Sequence, residues 1–155
     1  MALKSDRYEL QTDISFFYNA GTATRGGVVV HGTAGSGAAM DQGVNLVTYA
    51  VVTAASRPVG ILLNDVVNKD LTRTHLNQHK DEVQKGGKVT VLRKGYVVTN
   101  SLTGTPVAGD VAYACHVTAG NIRPDSPGSS GVLAIGRFLS SKDEDGYAKV
   151  EVNLP

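Results

Sequence analysis

Along the first twenty positions, apolar and polar residues take turns. Tyr8, Leu10, Ile14 and Phe16 share a spacing of two, with Glu9, Gln11, Asp13 and Ser15 between most of them. That period predicts an extended strand with one greasy side. The segment holds two of the chain's three Phe, at Phe16 and Phe17, and contains no Gly until Asn19-Ala20-Gly21 supplies a turn. Residues 1–20 therefore read as an N-terminal arm, and residues 21–155 as a β-rich domain. Two placements of the arm are open: it pairs outside the domain, or it is the first strand of the domain's own sheet.

From Gly21 onward, short apolar runs alternate with turn clusters. Gly26-Gly27 leads into Val28 to His31, and Gly32 to Gly37 reads as a loop. Leu46 to Thr53 predicts a strand, broken by Arg57-Pro58. Val59 to Leu63 is apolar without interruption, which predicts burial on both faces. Lys88 to Arg93 alternates, Lys94-Gly95 reads as a tight turn, and Tyr96 to Thr99 follows. Pro106 to Asp110 is a turn before Val111 to Val117. Val132 to Leu139 reads as a strand in which Gly136 marks a bulge or a close approach. Asp143 to Gly146 is a hairpin turn, and Tyr147 to Leu154 closes the chain. Only Leu71 to Val83 invites a helix, with Asp70 as its cap, or else a long ordered excursion within residues 69–87. Strands at this spacing predict a small all-β fold, a compact barrel or sandwich.

Composition agrees with this pattern. Of 155 residues, 41% are apolar and 19% charged, below the usual quarter or so; Gly, Ala, Thr, Ser and Val fill the gap. The net charge is +1, which gives no electrostatic footprint for nucleic acid or an acidic membrane. No apolar run approaches the roughly 20 residues that span a bilayer, and residues 1–17 lack a signal-peptide layout; secretion is not expected. The lone Cys115 excludes an internal disulfide and reads as a small buried hydrophobe.

A search for chemistry returns little. His75 and His79 have helical zinc spacing, with Asp81, Glu82 or His31 as conceivable third ligands, but Leu76 stands where a zinc protease carries its general base. Pro127-Gly-Ser-Ser-Gly131, with His31 and Asp65 upstream, sketches a serine-hydrolase order using Ser129 or Ser130, although Gly/Ser loops are common in β proteins. Gly32 to Gly37 lacks the Gly-Lys-Ser/Thr ending of a phosphate loop. No catalytic, cofactor-binding or metal residue is assigned, and the chain is not expected to be an enzyme.

Val59 to Val67 (VGILLNDVV), His75 to Thr99 (HLNQHKDEVQKGGKVTVLRKGYVVT), Ala108 to Tyr113, Ile135 to Leu139 and Gly146 to Val152 together resemble tailed-phage capsid decoration proteins, also called cement or head-stabilising proteins. The resemblance spans about residues 20–154, and the stretch 69–87 departs from the shortest members. It implies a β-barrel or β-tulip module with an extended N-terminal arm. It also implies a homotrimer on the outer surface of the phage head, assembled in the host cytoplasm. There the protein would bind between major capsid proteins after head expansion, with no direct nucleic-acid or membrane partner and no cofactor. On the residues, the arm would add to a capsid-protein sheet through its free backbone edge, with Tyr8, Leu10, Ile14, Phe16 and Phe17 making the contact. A trimeric tail or receptor-binding module is the second reading, and the Ser129 or Ser130 hydrolase the third.

Overall fold

The computed structural model describes residues 3–18, 20–32, 45–53, 55–68, 82–124 and 132–155. Eleven strands are present among them, and no described residue is helical. The spine is β7 (Lys88–Thr99). On one side β1 (Leu3–Tyr18) runs antiparallel along its whole length, from Leu3 opposite Thr99 to Phe17 opposite Lys88. The other side of β7 is shared. β4 (Pro58–Leu62) takes Val91 and Leu92, and β11 (Ala148–Asn153) takes Lys94 to Thr99.

Two short strands close a ring. β2 (Val28–His31) pairs with β4, β3 (Leu46–Thr48) pairs with β2, and the end of β1 pairs in parallel with β3, Phe17 against Leu46. The order β1-β3-β2-β4-β7 and back to β1 is a closed five-stranded barrel. From β11 the sheet continues outside it through β10 (Ala134–Phe138), β8 (Val111–Ala114) and β9 (Ile122–Arg123). β5 (Asp65–Val67) and β6 (Glu82–Gln84) form a separate parallel pair.

This layout explains the unbroken apolar runs. Successive side chains of a strand point to opposite faces. Val29, Val47, Leu62, Val89 and Val91 pack together with Phe16 and Tyr18, a cluster to which every barrel strand contributes. Val28, Val30, Ile61 and Leu92 face the other way, against Val97, Ile135, Phe138, Val150 and Val152 of the outer sheet. The barrel wall is thus buried on both faces, as Val59 to Leu63 predicted. Each Val, Leu or Ile so buried contributes about 1.5–3 kcal/mol.

Several local expectations hold. Asp143 to Gly146 is a hairpin turn, with the Asp143 N–H donating to Tyr147 O at 2.8 Å and Gly146 at φ +83°. Cys115 is buried. Gly136 is a close approach, because a β-carbon there would collide with the Glu151 carbonyl oxygen of β11.

Three need correction. Lys94-Gly95 is no turn: β7 runs straight through it, and Gly95 pairs with Glu9 of β1 beside the slip at Leu10. The strand expected over Leu46–Thr53 ends at Thr48, after which the Tyr49 N–H bonds the Tyr18 hydroxyl and the Val52 N–H bonds Cys115 O. The helix expected over Leu71–Val83 lies outside the described residues except for its last two, Glu82 and Val83, which are strand and pair with β5.

Candidate functional site

β1 is tied down at both ends and bare in the middle. Leu3 is buried in the outer core, and Phe16 and Tyr18 in the barrel core. The Tyr18 N–H donates to Gly87 O, Tyr18 O accepts from the Gly86 N–H, and the Phe17 N–H donates to Asn45 O. Between these anchors, Ser5 to Thr12 are all exposed. Tyr8, Leu10 and Ile14 keep 54%, 66% and 62% of their surface in water. Of the five contact residues expected from sequence, three are therefore presented to solvent, Phe16 is buried, and Phe17 is half-buried beneath Lys88, whose Nζ is 5.6 Å from the ring centre.

The middle of β1 belongs to a wider surface. Pairing registers place Tyr8, Tyr96, Glu151, Arg137 and Val111 in one row across β1, β7, β11, β10 and β8. Tyr8 stacks on Tyr96 with centroids 5.9 Å apart, and Lys149 Nζ lies 3.8 Å over the Tyr96 ring. A groove of about 450 Å³ opens beside this row, lined by Tyr8, Leu10, Lys94, Tyr96, Leu139 and Asn153 among others.

Ion pairs hold the strand along its length. Lys4 Nζ sits 3.1 Å from Asp143 and 3.9 Å from Asp145, over the Tyr147 ring. The Asp143 hydrogen bond raises the Lys4 pKa above its ordinary range. The Tyr147 N–H, then Lys4, hold Asp143 below the ordinary carboxylate range. Asp13 is held low by the Ser15 hydroxyl and N–H, with Arg93 also nearby at 3.8 Å. Arg7 and Glu9 pair at 2.8 Å. Solvent screens exposed pairs of this kind, so they set the strand's seat more than its stability. Sequence reasoning missed the Lys4–Asp143 clasp and the Tyr8–Tyr96 stack, because partners 139 and 88 positions apart leave no local signal.

The residues of the catalytic readings are dispersed or lie outside the description. His31 meets the Phe16 ring edge-on at 5.6 Å, and Asp65 accepts from the Arg25 N–H at 2.7 Å. His75, His79, Asp81, Ser129 and Ser130 lie outside the described residues. Among the described residues no three His, Cys, Asp or Glu side chains gather as a metal would require.

Exposed apolar side chains gathered on one anchored strand are the kind of surface that protein–protein contacts use. Residues 6–153 match the family described as structural cement protein (E217 gp24/Pam3 gp6), and the chain belongs to that family. It is a structural cement protein of a phage, with the capsid-stabilising role and virion location that this implies. No curated protein matches it.

Proposed function

We propose that this cement protein grips neighbouring major capsid proteins on the outer face of the expanded head through the exposed middle of β1. Tyr8, Leu10 and Ile14 make the contact, while Phe16 and Phe17 seat the strand's end. The supporting observation is the pairing of buried anchors with three bare apolar side chains on one strand. Because β1 is already paired with β7, docking avoids much of the roughly 1–2 kcal/mol per residue that ordering a free arm takes. A trimer would present three such strands, and simultaneous engagement raises avidity by about 10² or more over one.

Deleting residues 2–17 is a poor test, since it strips Leu3 and Phe16 from the two cores. Leu10→Glu and Ile14→Glu change only exposed positions. Each variant, shown to melt like the wild type, is sedimented with expanded heads lacking the protein. Binding about tenfold weaker or worse is expected from losing an interface anchor; undiminished binding overturns the proposal.

A further inference from the structure

The side chains of β1 are exposed from Ser5 to Thr12, and one of its backbone edges is open as well. β7 occupies one edge from Leu3 to Phe17, while β3 reaches the other only at Phe17 and Tyr18. Among the described residues no strand pairs with that second edge between Leu3 and Ser15. A long open edge pairs readily with another strand.

We infer that the occupant of this edge is β1 of a second copy, antiparallel, with Tyr8 on the two-fold axis. Charge order picks both partner and register. A two-fold axis between antiparallel strands runs perpendicular to the sheet and keeps each face on its own side, so one residue must lie opposite its own copy. Centring on Arg7 sets two arginines together, and centring on Glu9 sets two glutamates together. Centring on Ser5, Leu10 or Thr12 puts the axis where the β1–β7 register slips, between Leu3 and Arg7, Glu9 and Gln11, or Gln11 and Thr12.

Centring on Tyr8 uses Arg7–Glu9, the run of β1 in regular register with Val97, Tyr96 and Gly95. Arg7 then faces Glu9 of the second copy, and Glu9 faces its Arg7. With the 2.8 Å pair already present within each strand, four charges alternate around a closed ring. On the other face the two Tyr8 rings meet and extend each Tyr8–Tyr96 stack into a row of four tyrosines, a favourable cross-strand pairing. Outside Arg7–Glu9 the strand is irregular on both sides, and the first pair there, Asp6 with Leu10, brings no like charges together.

This junction joins two copies whatever larger assembly each belongs to. It shares Tyr8 with the capsid contact proposed above, but the capsid test changes Leu10 and Ile14 and the junction test changes positions 7, 8 and 9, so either can fail alone. On a shell it would stitch neighbouring cement units to one another as well as to the capsid.

The test uses the purified intact protein without heads. Tyr8→Cys is oxidised with copper phenanthroline and run on a non-reducing gel, with the wild type, whose Cys115 is buried, as blank. Covalent dimers should form about tenfold faster than from Ile14→Cys. Position 14 is equally bare, but the two-fold separates its two copies by about 40 Å along the strands. Adding Arg7→Glu or Glu9→Arg to the Tyr8→Cys chain should slow dimer formation about tenfold, since each sets like charges opposite one another. An equimolar mixture of the two should restore it, because a strand acidic at both positions then meets a strand basic at both. Restoration by mixing cannot come from the pair within one strand. Equal cross-linking through positions 8 and 14, or a mixture no better than either variant alone, overturns the inference.

Discussion

The carbonyl oxygen of Tyr8 lies against the bare α-carbon of Gly95, in space that no side chain can share. A β-carbon on Gly95 would collide with that oxygen, and the residue's φ of +141° disfavours a side chain in any case. The close approach this glycine permits lets β1 lie along the full length of β7 instead of stopping halfway.

Gly95→Ala should therefore unseat the middle of β1. Overpacking costs about 1–3 kcal/mol and the positive φ adds strain of the same order. A loss of about 2 kcal/mol or more lowers the melting temperature by about 4–8 °C in a chain of this size. Calorimetry reads the shift, and faster tryptic cleavage after Arg7 would place the damage on β1. A variant that melts like the wild type would show that β1 does not depend on this approach.

The clasp at the start of β1 should loosen in acid. Asp143 and Asp13 both titrate below their ordinary 3.8 in the folded chain. The unfolded chain therefore takes up protons first. The stabilisation is whole above the ordinary value and is lost as pH falls through the folded values. Lys4 runs the opposite way: its folded pKa lies above 10.5, so its share is whole below that value and lost as pH rises through the folded one. Hydrogen exchange of β1 amides should be flat near neutrality and lose protection below about pH 4, less steeply in Asp143→Asn. An unchanged acid limb in that variant would remove Asp143 from the account.

Adjacent residues on β10 and just beyond it should respond very differently to truncation. Phe138 is fully buried beneath the outer sheet, whereas Leu139 is 42% exposed on the groove side. Phe138→Ala should lose about 3–5 kcal/mol in denaturant unfolding. Leu139→Ala should stay within about 0.5 kcal/mol of the wild type.

Cys115 should be acidic for a thiol and still unreactive. Burial pushes its pKa up, but the Thr118 and Val117 N–H groups, 3.3 and 3.4 Å from Sγ, the Thr103 hydroxyl and Arg123 outweigh it, and the net shift is downward. With the residue 1% exposed, Ellman's reagent should fail to react with the native protein and titrate one thiol after unfolding. Cys115→Ser keeps an acceptor for both N–H groups, whereas Cys115→Val removes it.

The alternation of β1, the apolar runs at Val28 to Val30 and Val59 to Leu63, and the turns at Asp143 to Gly146 were legible along the chain. Each depends on side chains or dihedrals within a few residues of one another. An all-β module with an apolar-sided leading strand, poor in charge, followed from these. Tertiary structure alone decided that the barrel closes through β1 and β7, that Phe16 turns into the core while Tyr8, Leu10 and Ile14 stay in water, and that Gly95 lies within β7. A Lys-Gly pair between two alternating runs has the local chemistry of a turn. Only the Tyr8 carbonyl, contributed from 87 positions away, makes it a crossing point, and packing at such a distance has no period along the sequence from which to be read.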